Sequence, residues 1–157
     1  MAVYSVQGAQ ATVSTGYKTA IIITAAASGT IRRGKVFDIN MAAQSAPAST
    51  DTNIQFDLSR QTAAGTTTAY TPLPADPADA AFSGLAGVNA TVEGTVTATT
   101  SVFNMAMNQR APYRWQTYLG SGAELVYPAT ASNGFAFRVL SAGYTGAAGG
   151  TVMVAEQ

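Results

Sequence analysis

At 157 residues the chain fits one domain and is long enough to bury about two-thirds of its unfolded surface. Charged residues make up only 10% against 47% hydrophobic, well under the roughly 25% charge of an ordinary globular domain, and eight basic and eight acidic side chains cancel. With no basic excess, no cysteine and no histidine, the composition argues against phosphate-driven nucleic-acid binding, against thiol or disulfide chemistry, and against His-dependent catalysis.

The missing charge is replaced by Ala, Thr, Gly and Ser. Small uncharged groups repel little and cost little to desolvate, so they suit close contact with other subunits. They are equally consistent with an ordinary low-charge β-protein.

Residues 1–16 carry Val3, Val6 and Val13 as isolated apolar points, punctuated by Gly8 and Gly16. They read as a first strand of the domain at 17–157 or as an arm reaching a neighbour. They lack the basic region and apolar core of a secretory signal. Residues 17–27 contain Ile21-Ile22-Ile23, a β-branched run expected of a strand buried on both faces. The apolar run 20–27 is interrupted by Thr24 and is far shorter than the roughly 20 residues of a membrane helix.

The centre of the chain is 31–61. Lys35, Phe37, Ile39 and Met41 alternate with Val36, Asp38 and Asn40; Ile54, Phe56 and Leu58 alternate with Gln55 and Asp57. A period of two predicts strands with one buried face. That face is expected to bring Phe37, Ile39, Ile54, Phe56 and Leu58 into the core. The intervening 42–52, small and polar around Pro47, is expected to lie over a neighbour or form the mobile tip of the domain.

Residues 63–71 are Thr-rich and read as a short edge strand; Pro72, Pro74 and Pro77 forbid a central strand after them. Asp76, Pro77 and Asp79 form a helix-start signal, which predicts one short helix over 77–85. Residues 89–108 read as one or two strands, 113–119 as an aromatic segment with the only tryptophan, 124–127 and 135–140 as strands, and 151–155 as the last one. Eight to ten short strands with turns between them predict an all-β antiparallel sandwich of jelly-roll type.

No chemistry-bearing motif emerges. The glycines at 120–122 and 146–150 precede no helix signal and read as turns. The acidic residues are scattered without calcium-loop spacing, and Lys18 and Lys35 are the only lysines. Catalytic, cofactor and metal residues are therefore expected to be none. Arg32, Arg33 and Lys35 at a strand entrance suit a solvated edge or a subunit contact. Tyr113, Trp115 and Tyr118 form a candidate aromatic face for a sugar ring, against the alternative that Trp115 is core or interface.

Several stretches taken together resemble small virion structural proteins of tailed bacteriophages, in particular jelly-roll-like head decoration, or cement, proteins. They are the Thr/Ile-rich strand at 19–24; Arg32-Arg33-Gly34-Lys35-Val36-Phe37-Asp38-Ile39; Asp57-Leu58-Ser59-Arg60 and the turn after it; Asp76-Pro77-Ala78-Asp79; Asn108-Gln109-Arg110-Ala111-Pro112-Tyr113-Arg114-Trp115; and the loop from Pro128 to Gly134. The resemblance implies a non-enzymatic protein of the capsid exterior, assembled in the host cytoplasm. It implies the major capsid protein and its own copies as partners, in a homotrimer or otherwise a homodimer, with neither nucleic acid nor membrane. Arg32, Arg33, Asp57, Arg60, Arg110 and Arg114 are then the candidate subunit or capsid contacts. The alternative is a carbohydrate- or receptor-binding module of a tail fibre or adhesin.

Overall fold

The computed structural model describes residues 1–157 and contains twelve strands and no helix. In chain order they are β1 (Val3–Gln10), β2 (Lys18–Thr24), β3 (Gly34–Ala43), β4 (Asn53–Ala63), β5 (Thr66–Tyr70), β6 (Leu73–Pro74), β7 (Leu85–Val92), β8 (Thr95–Asn108), β9 (Tyr113–Gln116), β10 (Leu125–Tyr127), β11 (Gly134–Leu140) and β12 (Ala148–Glu156). They build two six-stranded antiparallel sheets. One runs β10-β3-β12-β1-β6, with β9 also paired to β3; the other runs β5-β7-β2-β11-β4-β8. The count exceeds the expected eight to ten because β6, only two residues long, leaves no period in the sequence, and 89–108 divides between β7 and β8.

With β5 to β7 set aside, the chain changes sheet at every step except from β4 to β8, which pair within one sheet, and from β9 to β10, which both flank β3. The order β1-β12-β3-β9/β10 faces the order β2-β11-β4-β8, which is the pair of interleaved Greek keys of a jelly roll. The excursion between β4 and β8 widens one side, placing β6 beside β1 and β7 with β5 beside β2. Residues 1–16 thus supply β1, which pairs with β12 along its whole length, from Val3 opposite Ala155 to Gln10 opposite Ala148.

The core lies between the sheets. Tyr4, Val6, Ile21, Ile23, Val36, Ile39, Met41, Ile54, Phe56, Leu58, Phe135, Phe137, Val139, Val152 and Val154 are buried there. Phe56 and Phe137 stack with centroids 5.7 Å apart. In β2 every residue after Lys18 is buried, as the triple isoleucine predicted. In β3 the expected alternation fails at Phe37. Met153 pairs with Asp38 but Val154 with Val36, so Phe37 is an extra residue. This bulge resets the phase: Val36 enters the core and Phe37 is left half-buried.

The expected helix over 77–85 does not form. Asp76 does cap, its Oδ1 accepting the Ala78 N–H at 2.9 Å and its C=O the Asp79 N–H at 3.0 Å, but only one turn results. Tertiary bonds claim the backbone beyond it: the Tyr4 hydroxyl donates to the Ala80 carbonyl at 2.7 Å, and the Glu156 carboxylate accepts the N–H groups of Ser83 and Gly84. A nine-residue helix gains too little alone to resist this. Residues 42–52 are likewise not a free tip. Gln109, buried, clasps them, accepting from the Ala48 N–H at 2.9 Å and donating to the Thr50 carbonyl at 2.8 Å, and Arg110 binds Asp51 at 2.6 Å.

The two open sides of the sandwich are closed differently. On one, the Gln10 amide donates to the carbonyls of Thr19 and Ala90, tying β1 to the second sheet. On the other, Trp115 of β9 meets Phe103 of β8 with centroids 6.1 Å apart. These are the edge strands of the two sheets, so the tryptophan is a wedge between the layers.

Candidate functional site

The charged side chains are mostly spent on the fold. Arg138 of β11 binds Asp57 of β4 through Nε and Nη2 at 3.0 and 2.7 Å, and Asp57 also accepts from Ser59 at 2.6 Å and Asn104 at 3.1 Å. The Tyr17 ring lies 4.3 Å from the Arg138 guanidinium, a cation–π contact. Burial pushes the Asp57 carboxyl up, but hydrogen bonds from Ser101, Ser59, Arg138 and Asn104 outweigh it and hold it below the usual range. Glu124 accepts the N–H groups of Gly120 and Gly122 and faces Lys35 at 3.8 Å. Its own backbone N–H and that of Gly120, with Lys35 and Gly122 adding less, lower its pKa against the effect of burial. Glu156 holds Ser83 and Gly84 beside Arg32, and Glu93 takes the Thr19 N–H and hydroxyl. Of the acidic side chains only Asp79 makes neither a hydrogen bond nor an ion pair within the chain. No three acidic side chains converge in a way that would hold a metal ion.

The charged contact candidates do not gather in one place. Arg32 and Arg33 lie at the start of β3, where Arg33 donates to the Gln157 side chain at 2.9 and 2.6 Å. Arg114 sits opposite Asn40 near the other end of β3 and grips Asp38 at 2.9 and 2.5 Å. Strand rise alone separates these ends by roughly 20 Å. Asp57 is 1% exposed and so has no free surface to offer a subunit. Arg60, near the end of β4, is exposed, and its side chain makes no hydrogen bond or ion pair within the chain. It lines a small polar hollow of 140 Å³ with Thr97, Thr100 and Asn133.

The aromatic candidates also separate. Trp115 is turned onto Phe103 and the core margin. Tyr118 is 87% exposed in the loop after β9, and Tyr113 is 39% exposed. Tyr113 alone of the three borders an open depression of about 330 Å³ across β9, β3 and β12, while Tyr118 borders a separate one of about 350 Å³ with Gln116 and Thr117. Tyr113 and Gly150 flank Met41 from its two sides in the sheet. Asn40, Ala42, Gln44, Pro112, Arg114 and Gly149 complete the lining. A Cβ on Gly150 would strike the Asn40 carbonyl, so the glycine is required and leaves that part of the floor without a side chain. Asn40 and Gln44 escaped the sequence reading, and the Gly149–Gly150 pair, expected in a turn at 146–150, lies inside β12 instead. The only signal was a glycine pair inside a strand, which marks a bulge or a close approach.

No family model, curated protein or solved structure matches the chain. No helix is long and apolar enough to cross a membrane.

Proposed function

We propose that the chain is a non-enzymatic structural protein of a tailed-bacteriophage virion that binds the outer capsid surface and bridges major capsid subunits. The observation that carries this is the use of its charges. In a jelly roll with no histidine or cysteine, every side-chain carboxylate but that of Asp79 is tied into ion pairs, backbone N–H groups or a turn cap. Catalysis needs groups poised to titrate or to receive a substrate; here they hold strands together. Much of what remains on the surface is small and uncharged, and suited to dense contact. The groove at Tyr113 and Arg114 is the capsid-facing surface in this reading, with amides at Asn40 and Gln44 for backbone recognition. Weak contacts repeated over many copies gain from avidity by roughly 10²–10⁴. The test is to add the purified protein to capsids lacking it. The wild type sediments with the capsid and raises its disruption temperature, and Tyr113→Ala with Asn40→Ala reduces both; no binding by the wild type refutes the proposal.

The same groove supports a second reading, a carbohydrate- or receptor-binding module of a tail fibre or adhesin. One exposed aromatic ring beside two amides and an arginine is chemistry that suits a sugar. Glycan binding lost in Tyr113→Ala, without capsid binding by the wild type, favours it.

A further inference from the structure

We infer that the free edge of β8 is a homodimer surface, at which two copies of the chain pair antiparallel about a two-fold axis near Met105. β8 pairs only with β4. No other backbone hydrogen bond reaches residues 101–107; the Phe103 carbonyl accepts from the Ser101 hydroxyl at 3.1 Å, and the other outward N–H and C=O groups are open along one side. Such an edge is a template for another strand, and proteins guard it with charge, proline or shortness. β8 uses none of these. It is fourteen residues long and contains no charged residue and no proline. The other edges are guarded: β6 is two residues with Pro74, β10 is three, β9 is four with Arg114, and β5 is five.

The inward row of β8 points to the same occupant. Phe103, Met105 and Met107 pair with Leu58, Phe56 and Ile54, which are fully buried, yet remain only half-buried themselves because no strand lies beyond them. A further strand would extend that cover. In an antiparallel pair about a two-fold axis each residue meets a copy of its own strand, so any charge near the axis would face its like. The neutrality of β8 suits a second copy, whereas a charged partner strand would find no counter-charge. With the axis at Met105, Phe103 stands opposite Met107 of the partner subunit, and Met105 opposite Met105 of the partner subunit. The four-residue excursion at 97–100, where Ser59 pairs with Ser101 and Gln61 with Val96, ends the regular segment. With the extra residue at Val102, it confines regular pairing about Met105 to residues 103–107.

The inference stands apart from the virion reading and is tested on the purified chain. Light scattering across a concentration series is expected to approach twice 16.0 kDa. Met105→Lys places two ammonium groups face to face and is expected to weaken dimerisation about a hundredfold or more. Ala106→Lys, on the solvent side, serves as a second charged variant that spares the inner row, and circular dichroism confirms that each is folded. Because the chain has no cysteine, Met105→Cys is expected to give a single oxidised dimer, and Thr67→Cys none. A monomer at every concentration, a trimer, a folded Met105→Lys that dimerises like the wild type, or a dimer that Met105→Cys fails to cross-link would each overturn it.

Discussion

Replacing Asp57 by alanine is expected to be among the most damaging single changes in the chain. The carboxylate is buried, with hydrogen bonds from Arg138, Ser59 and Asn104. Its removal strands the Arg138 guanidinium, whose side chain is 18% exposed, without a counter-charge. Breaking a buried pair by deleting one partner costs about 3–5 kcal/mol. At roughly 2–4 °C per kcal/mol for a domain of this size, the melting temperature falls by about 6–20 °C. Urea unfolding followed by tryptophan fluorescence measures the loss directly. Asp57→Ala with Arg138→Leu removes both charges, so the double variant is expected to be no less stable than Asp57→Ala alone. The pH dependence has a definite sign. The folded pKa lies below the unfolded one of about 3.9, so the contribution is complete above that value and is lost as the pH falls through the folded pKa. The stability gap between wild type and Asp57→Asn therefore shrinks only in acid. A cost under about 1 kcal/mol for Asp57→Ala, in the range of an exposed pair, would refute the reasoning.

Two buried tyrosines give opposite expectations. The Tyr127 hydroxyl has no partner, and burial near Glu156 raises its pKa; Tyr127→Phe removes an unsatisfied group and leaves stability equal or higher by up to about 1–3 kcal/mol. The Tyr144 hydroxyl donates to the Ala147 carbonyl at 2.9 Å and accepts the Ser45 N–H at 3.1 Å, so Tyr144→Phe costs about 1–2 kcal/mol in the same urea assay. Gly34→Ala places a methyl inside the Tyr127 ring and is expected to cost about 1–3 kcal/mol by overpacking, a cost that Tyr127→Ala in the same chain partly relieves. In Glu124→Gln the acid limb of the stability–pH curve shifts, because the lowered carboxyl pKa contributes stability above the unfolded value that vanishes as the pH falls.

What was legible in the sequence is what local periodicity encodes. Ile21–Ile23, the alternation of Ile54, Phe56 and Leu58, and the regular spacing of turns point to a sandwich, because a strand buried on one or both faces writes its environment into a period of two or a continuous run. The Phe37 bulge broke that rule, since one inserted residue shifts every later side chain to the other face without changing composition. The turn at Asp76 was read correctly as a cap and wrongly as a helix. The signals that start a helix are local, whereas the Tyr4 hydroxyl and the Glu156 carboxylate that stop it come from distant parts of the chain. The same limit applies to the site. Asp57 looked like a surface charge because its partner, Arg138, is 81 positions away, and Asn40, Tyr113 and Gly150 become neighbours only through the strand order β9-β3-β12.

The most direct test of the functional account is the position and copy number of the chain in purified virions, by stoichiometric protein analysis with electron cryomicroscopy. Many copies are expected in regular array on the outside of the head, with density bridging neighbouring capsid subunits. A few copies confined to the tail tip, or none in the particle, would contradict it.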